Sequence, residues 1–571
     1  MTIQERLKKY IKEALKLDTN PSLEVPAVAT YGHYSTSVAM KLAKEQGKNP
    51  LELADTFVSK LKLADEAGMF TDITAVKPGF INFTLSPSFL QRELAVARKA
   101  GDKFGRSKIG GRKRVIVEYS APNIAKPLHV GHLRNTMIGE ALANIFTAVG
   151  YDVVRWNYLG DWGTQFGKLI AAYKMWGEKL EIKKEPIATL LALYIRFHEM
   201  VKADPSLEQL GQKEFKLLED GNRENRSLWK WFCRLSLKEF KQLYAELGIR
   251  FDVTRGESAY QKQLKGIIAD FVRRGLAKRS EGALIVPLDS DGLPPGMIEK
   301  TDGGTVYLTR DIAQLQYRLA KYKPAKILYV VGNEQSLHLQ QLFAVARLAG
   351  MPAAELTHIK YGLVLDETGK KFSTREGRTV AAREVISKAL TLARTTVEQK
   401  NPTLSDKEKD EIARAVGMGA IRYNDLKENR LTDVIFNWEK MLDATGDSAP
   451  YLQYTVARLL NIIRKAGTVA RLRARRPQLE VLTDELEVLL MKKVLDFPDT
   501  VQLCAQTMLT SHLAKYLYEL ARTAGQYYEA TPILSDKDTA RRTARLALIE
   551  TTAQTLTSGL KLLGITVPDR I

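Results

Sequence analysis

Cysteine is nearly absent: Cys233 and Cys504 stand alone in 571 residues, far apart and outside any Cys/His cluster at metal-ligand spacing. That scarcity excludes a disulfide-stapled scaffold, leaves structural zinc unexpected and permits a reducing compartment. No apolar run approaches the ~20 residues needed to cross a bilayer, so a soluble chain with no membrane partner is expected. Internal repeats and low-complexity tracts are missing as well. Acidic side chains are in deficit, 66 Asp and Glu against 86 Lys and Arg, for a formal net charge of +20. Neutralising phosphates releases counterions, so a polyanionic partner is the natural inference, and composition alone favours nucleic acid modestly.

The length is too great for one hydrophobic core, and several domains are expected. The first segment places Ile3, Leu7, Tyr10, Ile11, Ala14 and Leu15 at helical spacing between basic residues. Glu5 and Glu13 argue against an organelle-targeting helix, because transit peptides are poor in acid, and a cytoplasmic location is expected. Residues 1–105 read as a small α/β domain with the strand-like GFINFTLS, closed by the basic linker GRSKIGGRKR. Next come a strand (RVIVEYS), a loop (APNIAKPLHVG), a helix (HLRNTMIGEALANIFTAVG) stopped by Gly150, and a second strand (YDVVRWNYLG). This βαβ unit is of the kind found in doubly wound nucleotide-binding sheets.

A mostly helical insertion is expected over about 165–300. Strand–loop–helix logic then returns with KILYVVGNEQSLHLQQLFAVARLAG and HIKYGLVLDETGKKFSTREGRTV, so one nucleotide-binding fold is split in two halves. From 411 to 571 helical periodicity dominates, with basic runs such as ARLRARRPQ. The expected fold class is multidomain α/β: a small N-terminal α/β domain (1–105), a split Rossmann-type parallel-sheet catalytic domain (106–410) with its helical insertion, and an all-α C-terminal domain (411–571).

Two motifs carry the chemistry. AKPLHVGHLR puts His129 and His132 between a strand and a helix N-terminus, where free N–H groups and the positive dipole end suit phosphate. Imidazole donors there can meet charge developing on a triphosphate, and Gly131 lets the backbone approach the nucleotide. The loop DETGKKFSTREG supplies Lys370, Lys371, Ser373, Thr374 and Arg375 between glycines. A flexible lysine can follow charge as it moves to a pyrophosphate leaving group.

Together, HVGH and KFSTR resemble the HIGH and KMSKS signatures of class I aminoacyl-tRNA synthetases. KFSTR keeps the first lysine as Lys371 and has Thr374 where the second would stand. Lys126, three residues before His129, is placed to supply the missing charge, a substitution similar to that in arginyl-tRNA synthetases. Resemblance to that one family extends through VEYSAPNIAKPLHVGHLRNT, NYLGDWGTQFGKL, YLTRDIA and PYLQYTVARL, over nearly the whole chain.

The resemblance implies an arginine–tRNA ligase, a monomer whose partners are ATP with Mg2+ on the nucleotide, L-arginine and tRNA(Arg). It implies catalytic roles for Lys126, His129, His132 and Lys371, and ATP contacts from Gly131, Phe372 and Ser373. Arginine contacts fall on Glu118, Asn123, Tyr307, Asp311 and Gln335. A guanidinium is best held by carboxylates, with amide oxygens taking its remaining donors. Phe80 and Asn82 match positions that contact a D-loop base. Tyr451, Tyr454 and Arg458 match the anticodon-binding helix, where unstacked bases want aromatic and guanidinium planes. The family tends to end in methionine after PDR, whereas this sequence reads PDRI. Two alternatives stay open: a class I synthetase for another amino acid, and a tRNA-binding paralogue without catalysis.

Overall fold

The computed structural model describes residues 1–26, 28–177, 180–182, 184–372, 380–467 and 477–568. Ser373, Thr374, Arg375, the arginine run at 471–476 and Ile571 lie outside the described residues. The chain divides into two compact units: residues 108–442 with 508–511, and residues 1–107 with 443–507 and 512–571. No described helix is long and apolar enough to cross a membrane.

The unit holding both chain ends begins with α1 (Ile3–Leu15), whose start is fixed by a Thr2/Glu5 capping box. Strands β1 (Tyr34–Thr36), β2 (Phe70–Val76) and β3 (Phe80–Leu85) form an antiparallel sheet in the order β1-β3-β2. Helices α2 (Val38–Gln46), α3 (Pro50–Ala64) and α4 (Pro87–Ala100) accompany it. Among the described residues, the C-terminal part of this unit contains helices and no strand. Gln91 of α4 donates to the carbonyls of Glu480 (3.2 Å) and Leu482 (2.9 Å), and Tyr34 donates to Asp496 (3.3 Å). The two terminal domains, separate stretches in the sequence, are therefore one packed body.

The other unit is built on a five-stranded parallel sheet. Its strands are β4 (Arg114–Glu118), β5 (Asp152–Leu159), β6 (Val253–Gly256), β10 (Lys326–Gly332) and β11 (Glu355–Tyr361), in the order β11-β10-β4-β5-β6. Helix α5 (Val130–Ala148) crosses from β4 to β5; it is buried on nearly every face, as an apolar helix under a sheet should be. The chain leaves β4 toward β5 on one side and reaches β10 on the other. The crevice at the carboxyl ends of β4 and β10 is thus the topological switch point, where open α/β sheets bind ligands.

The stretch expected to be one helical insertion holds α6 (Thr164–Trp176), α7 (Pro186–Ala203), α8 (Ser206–Glu219) and α9 (Arg223–Glu246). After them come the edge strand β6, helix α10 (Gln261–Arg273) and an antiparallel sheet of β7 (Lys278–Ser280), β8 (Ala283–Val286) and β9 (Gly296–Glu299). Strands of three or four residues are too short to print an alternation on the sequence. Helices α11 (Tyr307–Tyr322) and α12 (Ser336–Leu348) flank β10. The remaining elements are β12 (Val364–Leu365), α13 (Ala382–Lys400), α14 (Asp406–Leu426) and β13 (Val434–Ile435). Helix α14 runs straight through residue 410, where the C-terminal domain was expected to begin, and this compact unit continues to Leu442.

Candidate active site

A cavity of about 800 Å³ opens at the switch point, bordered by the ends of β4, β5 and β10 and the start of α5. Glu118, Asn123, His129, Gly131, His132, Tyr307, Asp311, Gln335, Lys371 and Phe372 all line it, so residues spread over more than 250 positions in the sequence meet around one space. Lys126 is exposed in the loop beside it, with its ammonium 5.4 Å from the centre of the Tyr194 ring on α7 rather than on the cavity wall.

The loop between β4 and α5 is held under strain. Ser120 (φ 71°), Ala121 (φ 46°) and Ala125 (φ 63°) all occupy the left-handed region, which costs non-glycine residues energy unless neighbours enforce it. The enforcement is visible. Ser120 N donates to Asn135 Oδ1 (2.5 Å), Ala121 N to Asn157 Oδ1 (3.2 Å) and Ala125 N to Ser236 Oγ (3.1 Å), while Ser120 Oγ meets Tyr244 Oη at 2.6 Å. Helix α9 of the insertion, carrying Ser236 and Tyr244, thereby braces the loop that ends in the two histidines.

At the start of α5 the backbone N–H of Gly131 donates to His129 Nδ1 (3.1 Å), and that of His129 donates to His132 Nδ1 (3.2 Å). Burial depresses both imidazole pKa values, that of His132 to about 3, with Lys371 adding to the effect on His129. Both rings are neutral near pH 7 and accept at Nδ1, so the remaining proton of each sits on Nε2. The pair is set as neutral hydrogen-bond donors at a helix N-terminus.

The lysine-bearing segment is anchored on both sides of 373–379. Phe372 N donates to Val364 O (3.1 Å), and β12 pairs in parallel with β13. On the far side, Val130 N donates to Val380 O (3.1 Å) and Ala382 N to Leu128 O (2.8 Å). Arg134, one turn into α5 and 1% exposed in its side chain, reaches back to the carbonyls of Gly362, Leu363, Arg430 and Thr432 and faces Asp425 at 3.2 Å. This buried guanidinium ties the histidine helix to the base of the lysine loop.

The opposite end of the cavity is acidic. Glu118 pairs with the fully buried Arg318, Glu257 with Arg310 (3.0 Å), and Asp311 Oδ2 with His338 Nε2 (2.6 Å). Burial pushes the Glu257 carboxyl up to about 8 and raises that of Glu118 against the pull of Arg318. Glu257, His338 and Tyr158 line the space without having been singled out from the sequence. Glu257 directly follows β6, and an acid after a strand end was the available signal.

Comparison with known proteins identifies the family. The family model for the catalytic domain of class I (R) tRNA synthetases matches residues 95–438, the arginyl-tRNA synthetase N-terminal domain matches 1–85, and the DALR anticodon-binding domain matches 452–571. The arginine–tRNA ligase of Halothermothrix orenii is 39% identical over 551 residues, covering 96% of this chain and 95% of the relative. That of Ligilactobacillus salivarius is 40% identical over 562 residues, covering 97% and 96%.

The chain belongs to the arginyl-tRNA synthetase family.

The folds agree too. The Thermus thermophilus arginyl-tRNA synthetase superposes with a TM-score of 0.85 at 27% identity, and that of Plasmodium falciparum with 0.86 at 25%, each covering 100% of both chains. In this synthetase the residues expected to meet tRNA are placed as follows. Phe80 is half-buried on β3, while Asn82 is buried between the flanking strands at Ser35 and Thr74. On the helix α15 (Ala449–Lys465), Tyr451 packs on Tyr518 with ring centres 5.7 Å apart. Tyr454 and Arg458 are exposed, and the Arg458 guanidinium lies 5.4 Å from the Tyr454 ring centre and 5.0 Å from that of Tyr528. Tyr528, which sequence reading passed over, extends this aromatic and guanidinium patch.

Proposed function

We propose that this chain is an arginine–tRNA ligase that performs both of its steps around the one cavity. The observation that carries the reading is the union there of two neutral, Nε2-protonated histidines and Lys371 at one end with Glu118, Glu257 and Asp311 at the other. ATP lies with its phosphates at the start of α5, and arginine extends its guanidinium toward the acids. The arginine carboxylate oxygen attacks the α-phosphorus, and the bond to the pyrophosphate oxygen breaks. His129, His132 and Lys371 meet the charge that develops, each such donor being worth roughly 2.7 to 4 kcal/mol in the transition state. Lys126 swings off Tyr194 to join them. Gly131, Phe372 and Ser373 contact the nucleotide, and Asn123, Tyr307 and Gln335 contact arginine. In the second step a hydroxyl of the terminal ribose attacks the activated carbonyl and AMP departs.

Mg2+ would accompany the nucleotide, since it is commonly bound through substrate phosphates. Residues 1–105 grip the tRNA elbow with Phe80 and Asn82. The catalytic part begins at 106 and continues to Leu442 through the packing of α14. The remaining helices read the anticodon with Tyr451, Tyr454 and Arg458. We place the enzyme in the cytoplasm as a monomer. Charging of radiolabelled arginine onto total tRNA, run beside lysine and glutamine, tests the assignment; charging of lysine or glutamine instead of arginine overturns it.

A further inference from the structure

Four carboxylates line the cavity, and three of them, Glu118, Glu257 and Asp311, already pair with a cation. The cations differ in one chemical respect. Arg318 and Arg310 stand behind the wall and cannot give up their charge, because a guanidinium keeps its proton at any physiological pH. His338 lines the cavity itself, with its side chain 26% exposed against 19% for Asp311, and an imidazolium can become neutral without moving. Among these three paired carboxylates, Asp311 is therefore the one whose counter-ion can be withdrawn in place.

We propose that His338 is a positioning residue that holds Asp311 as a removable counter-ion in the free site and surrenders its proton when the substrate guanidinium arrives. The inference rests on the reading of Asp311 as a partner of the substrate side chain. An incoming guanidinium cannot share one carboxylate with an imidazolium at hydrogen-bond distance without like-charge repulsion, and the guanidinium is the partner that keeps its proton. The exchange is balanced: one cation enters, one proton leaves to the buffer, and the charge beside Asp311 is unchanged. In the free site burial disfavours the charged ring, but the hydrogen bond to Asp311 and its charge outweigh burial and raise the His338 pKa. The other titratable groups around the pair are Tyr307 on α11, Glu118 on β4, Tyr158 on β5, Glu257 after β6, Tyr329 on β10 and Glu334 after it, with Arg310 and Arg318 as fixed cations. Of the groups in this set, His338 alone is hydrogen-bonded to Asp311; burial brings Glu257 into the same pH range, at about 8, in the wild type and in a His338 variant alike.

By linkage, arginine binding weakens as pH falls through the His338 pKa, and it releases a proton. The test uses the full chain with saturating tRNA and reads the KM for arginine in pyrophosphate exchange from pH 6 to 8.5, with the KM for ATP followed in parallel. Proton release on adding arginine is counted in weakly buffered solution with a pH indicator. The wild type is expected to show a KM for arginine roughly ten-fold higher at pH 6 than at pH 8, and release of roughly one proton per site at pH 6 that fades by pH 8.5. His338→Gln, which keeps a donor toward Asp311 but cannot titrate, is expected to flatten the profile between pH 6 and 8 to within about two-fold and to release clearly fewer protons than the wild type, the remainder coming from Glu257. A wild type that releases no proton, or a His338→Gln variant that releases as many, overturns the proposal. Asp311→Asn separates the two readings. If it raises the KM for arginine while His338→Gln leaves the pH profile intact, the Asp311 assignment stands and the His338 proposal falls. If Asp311→Asn leaves the KM for arginine unchanged, both fall.

Discussion

Replacing Arg134 by methionine should both destabilise the catalytic unit and slow activation of arginine, because one buried side chain joins the histidine helix to the lysine segment. Its guanidinium donates to Gly362 O (3.0 Å), Leu363 O (2.7 Å), Arg430 O (3.3 Å) and Thr432 O (2.9 Å), and its Nε faces Asp425 at 3.2 Å. Leu363 O and Arg430 O keep a second donor, from Val434 N and Gly362 N respectively, so two carbonyls lose more than the others. Removing one partner of a buried ion pair costs about 3–5 kcal/mol, and each buried acceptor left unmade adds about 1–3 kcal/mol. These terms do not simply add, and a loss of about 5 kcal/mol is the working expectation, large against the 5–15 kcal/mol of a typical domain. All six tryptophans fall between Trp156 and Trp438, so urea unfolding followed by tryptophan emission reads this unit alone. Arg134→Lys keeps the charge and loses the planar fork, and should fall between the two. Adding Asp425→Asn to Arg134→Met should recover about 3 kcal/mol by removing the stranded carboxylate. Pyrophosphate exchange, measured where the variants are folded, should drop because residues 362–372 are no longer pinned to α5. A loss below about 1 kcal/mol in Arg134→Met together with a wild-type exchange rate would refute the reasoning.

Lys126→Ala should lower the activation rate with little change in the KM for arginine, by up to roughly 2.7 to 4 kcal/mol if the ammonium leaves Tyr194 for the phosphates; a wild-type kcat would show that it stays. Burial raises the Asp499 carboxyl to about 6, above its value in the unfolded chain. Its stabilising contribution is therefore complete below about pH 4 and lost as pH rises through 6, and Asp499→Asn should gain up to about 3 kcal/mol at pH 7.5 with no gain at pH 4. Calorimetric melts at the two pH values check this, and an equal gain at both would rule it out. Replacing Tyr451 and Tyr454 together by alanine should depress arginine-dependent exchange at limiting tRNA and be largely restored at saturating tRNA. The expectation is that bound tRNA favours the competent arrangement of the activation site, and robust exchange by the wild type without any tRNA would refute it.

Much of this protein was legible in its sequence for a local reason. The strand, loop and helix around His129 and His132 are dictated by neighbours within a few residues: apolar spacing makes α5, Gly150 ends it, and a helix N-terminus offers its N–H groups wherever it is placed. The switch-point cavity follows from a split parallel sheet, and the family resemblance named residues of both halves that line it. What the sequence could not carry is pairing across the sheet. Glu118 meets Arg318, 200 residues away, only because β4 lies beside β10 and α11 packs against them. Asp311 meets His338 because two helices flank the same strand, and Ser236 and Tyr244 brace the strained loop because α9 folds back onto it. The same holds for the chain ends, which local pattern separates into two domains and packing unites in one body. Periodicity and capping are set by adjacent residues, whereas the partner of a buried charge is chosen by strand order, and strand order exists only in the folded chain.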